Sequence, residues 1–161
     1  MRIEMSKSTQ TNQHGFTLVE VLVALVILSI GLLGVAGMQI SGMKGNHNAF
    51  LRSQAQQYAY EMLDMMRANR TAATNGDYNL ALTGAVPAVP VPDSVAAQDI
   101  REWLRGVTGT QNSSSALPGG QGGIAVAANV DGTWTVTITV QWVEGRLADD
   151  TTPSVVVVSK L

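Results

Sequence analysis

Gly15-Phe16-Thr17-Leu18-Val19-Glu20-Val21-Leu22-Val23-Ala24-Leu25-Val26-Ile27-Leu28, with an apolar continuation to Met38, is the stretch around which the chain is organised. From Phe16 to Met38 the one ionisable side chain is Glu20. A helix over that span is roughly 34 Å long at about 1.5 Å rise per residue. The hydrocarbon core of a bilayer is about 30 Å thick, so the span is long enough to cross it. Leu, Val, Ile and Ala fill every side of the helical wheel, leaving no polar face. Such a helix belongs in a membrane or in the buried core of an assembly. Glu20 is the anomaly. A charge near the centre of a span costs roughly 2.5–3.5 kcal/mol, so an acid kept there is a functional candidate.

The remaining composition narrows the class. The 161 residues allow one globular domain beyond the span. A net charge of −2 and the lack of a basic stripe argue against nucleic acid as a partner. Cysteine is absent, which excludes disulfides and thiolate metal sites. Few aromatics and many glycines point to a modest core with long loops.

Met1 to His14 is polar, with Arg2 and Lys7 against Glu4. That small positive excess is expected to keep the N-terminus cytoplasmic. A secretory signal is cut after its apolar segment, and Val35-Ala36-Gly37 is a poor site for that cut. Gly31, Gly34 and Gly37 recur at intervals of three, followed by Gly42 and Gly45. Each costs up to about 1 kcal/mol against Ala in a helix. Close helix contact, a stretch that loosens on leaving the bilayer, and ordinary tolerance of glycine in membrane helices all fit.

From Asn48 to Arg70 the pattern becomes amphipathic. Leu51, Ala55, Tyr58, Met62 and Met65 or Met66 share one face, while Arg52, Gln56, Asp64 and Arg67 point away. The Met cluster reads as adaptable core filling. Asn75-Gly76-Asp77 is a stop signal, and the prolines up to Pro92 favour extended chain. Asp93 or Ser94 then caps a short helix with Ala97, Ile100, Trp103 and Leu104 on one face and Gly106 at its end. The tract from Gly109 to Gly123 reads as a flexible loop, and no Gly-Lys-Ser/Thr supports a phosphate loop. Trp134, Val136, Ile138, Val140 and Trp142 alternate with polar residues, predicting a half-buried antiparallel strand. A two-residue Asp131-Gly132 turn sets Val126 against Thr137. A three-residue loop, Val130-Asp131-Gly132, sets Val126 against Val136 and Ile124 against Ile138. Burial selects the second, with Gly132 left-handed. Val155 to Val158 forms a third strand.

No catalytic constellation emerges, and the expectation is a protein that is not an enzyme and needs no metal or cofactor. His14 and His47 lack metal-ligand partners at useful spacing, and Ser113, Ser114 and Ser115 lack a base.

Gly15-Phe16-Thr17-Leu18-Val19-Glu20 resembles the type IV prepilin signature: a short polar leader, a Gly, Phe-Thr-Leu, and a Glu five residues past the Gly. His14 stands where such leaders often carry a basic residue. The resemblance implies cleavage by a prepilin peptidase between Gly15 and Phe16, N-methylation of Phe16, and retention of the apolar run. The run from Glu20 to Gly34 is similar to that of minor pilins of the PilV family, the type IV pilus modification proteins. Close similarity covers about Gly15 to Gln39, with the general layout and Thr139-Val140-Gln141-Trp142 beyond it. After the cut Phe16 carries an α-amine with a reference pKa near 8. Phe16 and Glu20 are four apart, which a helix places on one face, so Glu20 answers its own terminus or a neighbouring subunit's. A lone acid snorkelling to the membrane surface is the alternative.

The implied fold is α+β and pilin-like: one long N-terminal helix, transmembrane then amphipathic, packed on a small antiparallel sheet, with a short extra helix between. Residues 1–15 are the leader, 16–40 the transmembrane and assembly helix, and 41–161 a periplasmic domain. Within that domain the helix continues over about 48–70, a connecting region covers 71–123 and the sheet covers 124–161. The implied function is priming or tip assembly of a type IV pilus, with its adhesion and motility roles. Expected partners are other minor pilins, the major pilin, the peptidase, inner-membrane assembly proteins and, before assembly, lipid. The alternatives are a minor pseudopilin of type II secretion and an uncleaved membrane-anchored periplasmic binding domain. Asp149-Asp150 could touch calcium, as in some related pseudopilins, or form part of a solvated loop.

Overall fold

No proline interrupts the chain between Gly15 and Val86, and helix formers give one 51-residue helix, α1 (Leu18–Ala68), in the computed structural model. The structure describes residues 15–88, 93–109, 117–144 and 152–161. Met1–His14, the last prolines of the connecting region, the serine triplet and Asp149-Asp150 lie outside the described residues. The chain divides into two compact units, one ending at Lys44 and one of Gly45–Leu161. In the first, every described side chain is exposed.

In the second unit the amphipathic reading of α1 holds. Leu51, Ala55, Ala59, Met62, Leu63 and Met66 are buried. Tyr58 and Met65 are half-buried, and Arg52, Gln56, Asp64 and Arg67 are exposed. The helix does not reach Arg70 unbroken. It ends at Ala68, and a five-residue α2 (Arg70–Thr74) follows before the left-handed Gly76 at φ 84°. At the break, Asn69 takes φ −119° and ψ 55°, and its side-chain amide donates to the Tyr78 hydroxyl at 3.4 Å.

Helix α3 (Val95–Thr108) has its N-cap at Ser94, whose hydroxyl accepts the Ala97 N–H at 3.2 Å. Asp93, the other candidate cap, instead takes the Arg101 guanidinium on both oxygens at 2.6 Å. That bond holds its carboxyl below the usual carboxylate range. Gly106 does not end the helix. Gly109 does, left-handed at φ 74°, with its N–H on Arg105 O. Gly106 is an internal position where a Cβ would lie 3.0 Å from the Tyr58 ring. The buried face is Ala96, Ile100, Trp103, Leu104 and Val107, with Ala97 only half-buried.

The sheet is fully antiparallel, in the order β1-β2-β3-β4. It comprises β1 (Leu80–Thr83), β2 (Gln121–Ala128), β3 (Trp134–Gln141) and β4 (Ser154–Lys160). Two parts of it contradict the sequence reading. β1 was not expected, because four residues are too few to show alternation. Gln121, Gly122 and Gly123 belong to β2 rather than to a flexible loop. Gly122 is in the sheet because only glycine fits there: a Cβ would lie 2.5 Å from two atoms of the Trp103 ring. Trp103 is 1% exposed, and its indole N–H donates to Tyr58 O at 2.9 Å, tying α3 to α1 over β2.

The hairpin follows the burial argument. Val126 pairs with Val136 and Ile124 with Ile138, on the same side of the ladder as Trp134. The loop is Val130-Asp131-Gly132, closed by the Asn129 N–H on Thr133 O at 2.8 Å, with Gly132 at φ 77°. Val136, Ile138 and Val140 are fully buried, and so is Trp142 just beyond the strand.

Candidate functional site at the start of the first helix

Gly15, Phe16 and Thr17 lie ahead of α1, and Thr17 starts it. Its hydroxyl accepts the Glu20 N–H at 3.3 Å, and its carbonyl accepts from Glu20 at 3.1 Å and Val21 at 3.3 Å. Thr17 is thus the N-cap and Glu20 the third helical residue. An N-terminal turn has backbone N–H groups without intrahelical partners, and a Thr at this place satisfies one of them. A carboxylate three residues on meets the positive end of the helix dipole.

Within the signature read from the sequence, Thr17 carries no role of its own. The signal was available, since Thr17-Leu18-Val19-Glu20 has the spacing of a capping box. The geometry also qualifies the pairing argument for Phe16. Phe16 is 83% exposed and precedes the first helical residue by two positions. In the intact chain, therefore, Phe16 and Glu20 are not stacked on one helical face.

Behind the cap, Leu18, Val19, Leu22, Leu25, Ile27, Leu32, Leu33 and Met38 are all more than half exposed. Among the described residues, α1 is the helix long and apolar enough to cross a membrane. Ser29 is the polar interruption, and its hydroxyl donates to Leu25 O at 2.7 Å, so it needs no water. The glycine series leaves the helix unbroken. A Cβ built on Gly31, Gly34 or Gly37 meets nothing within 4 Å, so no contact within this chain accounts for them.

The other sequence candidates are scattered. His47 is exposed, and among the described residues no three His, Asp or Glu side chains converge on a metal-sized space. Met62 and Met66 are core residues with no exposure. Gln57, Tyr60, Glu61, Asp64 and Met65 line a shallow groove on the outer side of α1.

Residues 10–36 match the family described as the prokaryotic N-terminal methylation motif. The match covers the residues just before Gly15, the cap and most of the apolar run, and it stops before Gly45–Leu161. It indicates a type IV pilin-like prepilin, of pilin or pseudopilin class. That class is structural rather than enzymatic, is processed by prepilin peptidase and assembles with other pilus components. Neither the curated proteins nor the solved structures contain a match to this chain.

Proposed function

We propose that this chain is a minor pilin of the type IV pilus, of the PilV kind, which primes or caps the filament together with other minor pilins. The observation that carries this reading is the coincidence at one place of the methylation motif, a Thr17-capped helix start with Glu20 in its first turn, and an apolar run with every side chain exposed. In this reading residues 1–15 are a leader. A prepilin peptidase cuts between Gly15 and Phe16, and the new Phe16 amine is methylated. Residues 16–40 then hold the chain in the inner membrane, with residues 41–161 in the periplasm, until α1 passes into the filament. Glu20 supplies the counter-charge for a Phe16 amine, its own or a neighbour's. A pseudopilin of type II secretion uses the same motif, and the genes beside this one separate the two.

The test is N-terminal mass spectrometry of the protein from its own membranes. The expected mature chain begins at Phe16 and carries one additional methyl group. Replacing Gly15 by a bulky residue should leave the precursor uncut. An intact Met1, or a start near Met38, refutes the proposal.

A further inference from the structure

Asn75-Gly76 is the single Asn-Gly pair in the chain, and it stands at the C-terminal end of α2. Asn75 is the C-cap, with φ −75° and ψ −9°, and Gly76 follows in the left-handed region at φ 84°. Three successive N–H groups are bonded back into α2: Asn75 to Thr71 O at 3.0 Å, Gly76 to Ala73 O at 3.1 Å and Asp77 to Ala72 O at 3.0 Å. The last two are the bonds of a Schellman cap, in which the left-handed position favours a residue without a Cβ. Asn75 and Asp77 are exposed.

An asparagine followed by glycine carries the means of its own modification. The Gly76 amide nitrogen, once it has lost its proton, attacks Asn75 Cγ. The N–Cγ bond forms, the Cγ–Nδ2 bond breaks, and ammonia leaves with the proton. Water then opens the cyclic imide. Attack at Cγ gives aspartate, and attack at the Asn75 main-chain carbonyl gives isoaspartate, in which the chain runs through Cγ. Glycine favours the first step because no Cβ shields its nitrogen. Asp131-Gly132 has the same spacing, but its carboxylate, which accepts from Thr133 and pairs with Lys160, is a poor electrophile.

The cap opposes that first step twice. The proton that must leave Gly76 is the one bonded to Ala73 O. Ring closure also needs the Gly76 nitrogen beside the Asn75 Cβ, and at ψ −9° it eclipses the Asn75 nitrogen instead. Turning that peptide plane breaks the Gly76 and Asp77 bonds together. We propose that Asn75-Gly76 is a self-modification site that the α2 cap holds unreactive, so that Asn75 deamidates in chains whose α2 has opened. The same glycine thus makes the pair reactive and builds the cap that protects it. Isoaspartate, with its longer main chain, does not remake the cap. Either product sets a second carboxylate beside Asp77 at the carbonyl end of the helix, where negative charge is unfavourable. The change is therefore a lasting mark of an opening event. It does not depend on the pilin reading.

The test keeps the full-length chain in detergent micelles at mildly alkaline pH, folded or in urea, and follows loss of Asn75 by peptide mapping and mass spectrometry. The rate in the folded chain is expected to be at least about tenfold below that in urea, because the closed cap withholds the site. Equal rates overturn the gate, and no conversion in urea overturns the site. Ala72→Gly weakens α2 at a residue whose side chain takes no part in the reaction. It is expected to speed conversion in the folded chain about fivefold, with Gly76 amide exchange rising by the same factor, and to leave the rate in urea unchanged. Exchange that rises without conversion overturns the cap as the gate. Urea below the unfolding transition makes the same comparison on the native chain: conversion and Gly76 exchange should rise together. Conversion that stays flat while exchange rises refutes the proposal.

Discussion

Glu20→Gln separates two roles that Glu20 can play, because the two differ in size. The substitution removes the charge and keeps the backbone N–H that donates to Thr17 Oγ1 at 3.3 Å. If Glu20 serves only the helix start, the loss is the dipole term, about 0.3–1 kcal/mol, or at most roughly fivefold in any equilibrium. If it neutralises a Phe16 amine inside an apolar filament, the loss is that of an unpaired buried ion, about 3–5 kcal/mol. That corresponds to roughly two to three and a half orders of magnitude in docking. The assay counts surface pili per cell while blots confirm that mature protein accumulates normally. Processing and membrane insertion should be unchanged, since losing a charge makes the span more apolar. The expected result is far fewer pili with unaltered shafts. Thr17→Ala is the companion: it removes the cap at about 1 kcal/mol and leaves the charge, so pilus number should fall little. Wild-type pilus numbers with Glu20→Gln refute the pairing role and favour an acid that merely reaches the membrane surface.

Other outcomes concern the domain. Gly122→Ala drives a Cβ to 2.5 Å from the Trp103 ring, which is pinned by its bond to Tyr58 O. It should cost about 1–3 kcal/mol in thermal unfolding followed by tryptophan fluorescence. Gly132→Ala meets no atom within 4 Å and bears only its left-handed φ, so it should cost roughly 1 kcal/mol; an equal or larger loss than Gly122→Ala refutes the steric account. Burial, and next the bond to Asp99, push the Tyr78 hydroxyl from its ordinary value near 10 up to about 12. A raised pKa means the protonated phenol is favoured by folding, so its contribution is complete below pH 10. It is lost as pH rises from 10 to about 12. Tyr78→Phe should flatten stability over that window, and an unchanged slope shows that the phenol is not the group responsible.

The sequence disclosed those features that repeat along the chain. The 3.6-residue pattern from Leu51 to Met66 and the alternation from Trp134 to Trp142 each involve many residues, and both held. The register of the β2–β3 hairpin followed as well, because sliding by one residue exchanges buried valines for threonines. What stayed hidden were features made by one or two residues against distant partners. Gly122 looks like loop glycine until Trp103 is seen lying on it, nineteen positions earlier. β1 is too short to have a period, and it exists because Leu80 meets Ile124 and Thr83 meets Gly122. Gly106 resembled a helix stop, yet it makes room for Tyr58. The motif at the start of α1 was the most legible feature, since it is local and lies in consecutive residues. Even there the Thr17 cap is obscured, because a charge in an apolar run stands out and a hydroxyl three residues before it does not.

Thr17 bears on how the precursor and the mature chain relate. A helix start that depended on leader residues for its cap would loosen when the leader was removed. Here the cap lies two residues past the cut expected after Gly15, and the Glu20 N–H is satisfied by Thr17 alone among the described residues. If the chain is cut there as proposed, cleavage changes charge without disturbing the first turn. It places a new cation next to the positive end of the helix dipole, an arrangement unfavourable by the same 0.3–1 kcal/mol that favours an anion there, about. In that proposal Glu20, whose N–H is held by the cap, would offset both the dipole and the amine. In the proposed function the hydroxyl holds the charge in place, and the charge would neutralise the cut end in an apolar surrounding. The cap contributes about 1 kcal/mol and a buried counter-charge about 3–5 kcal/mol, which is why the two substitutions are expected to differ in size.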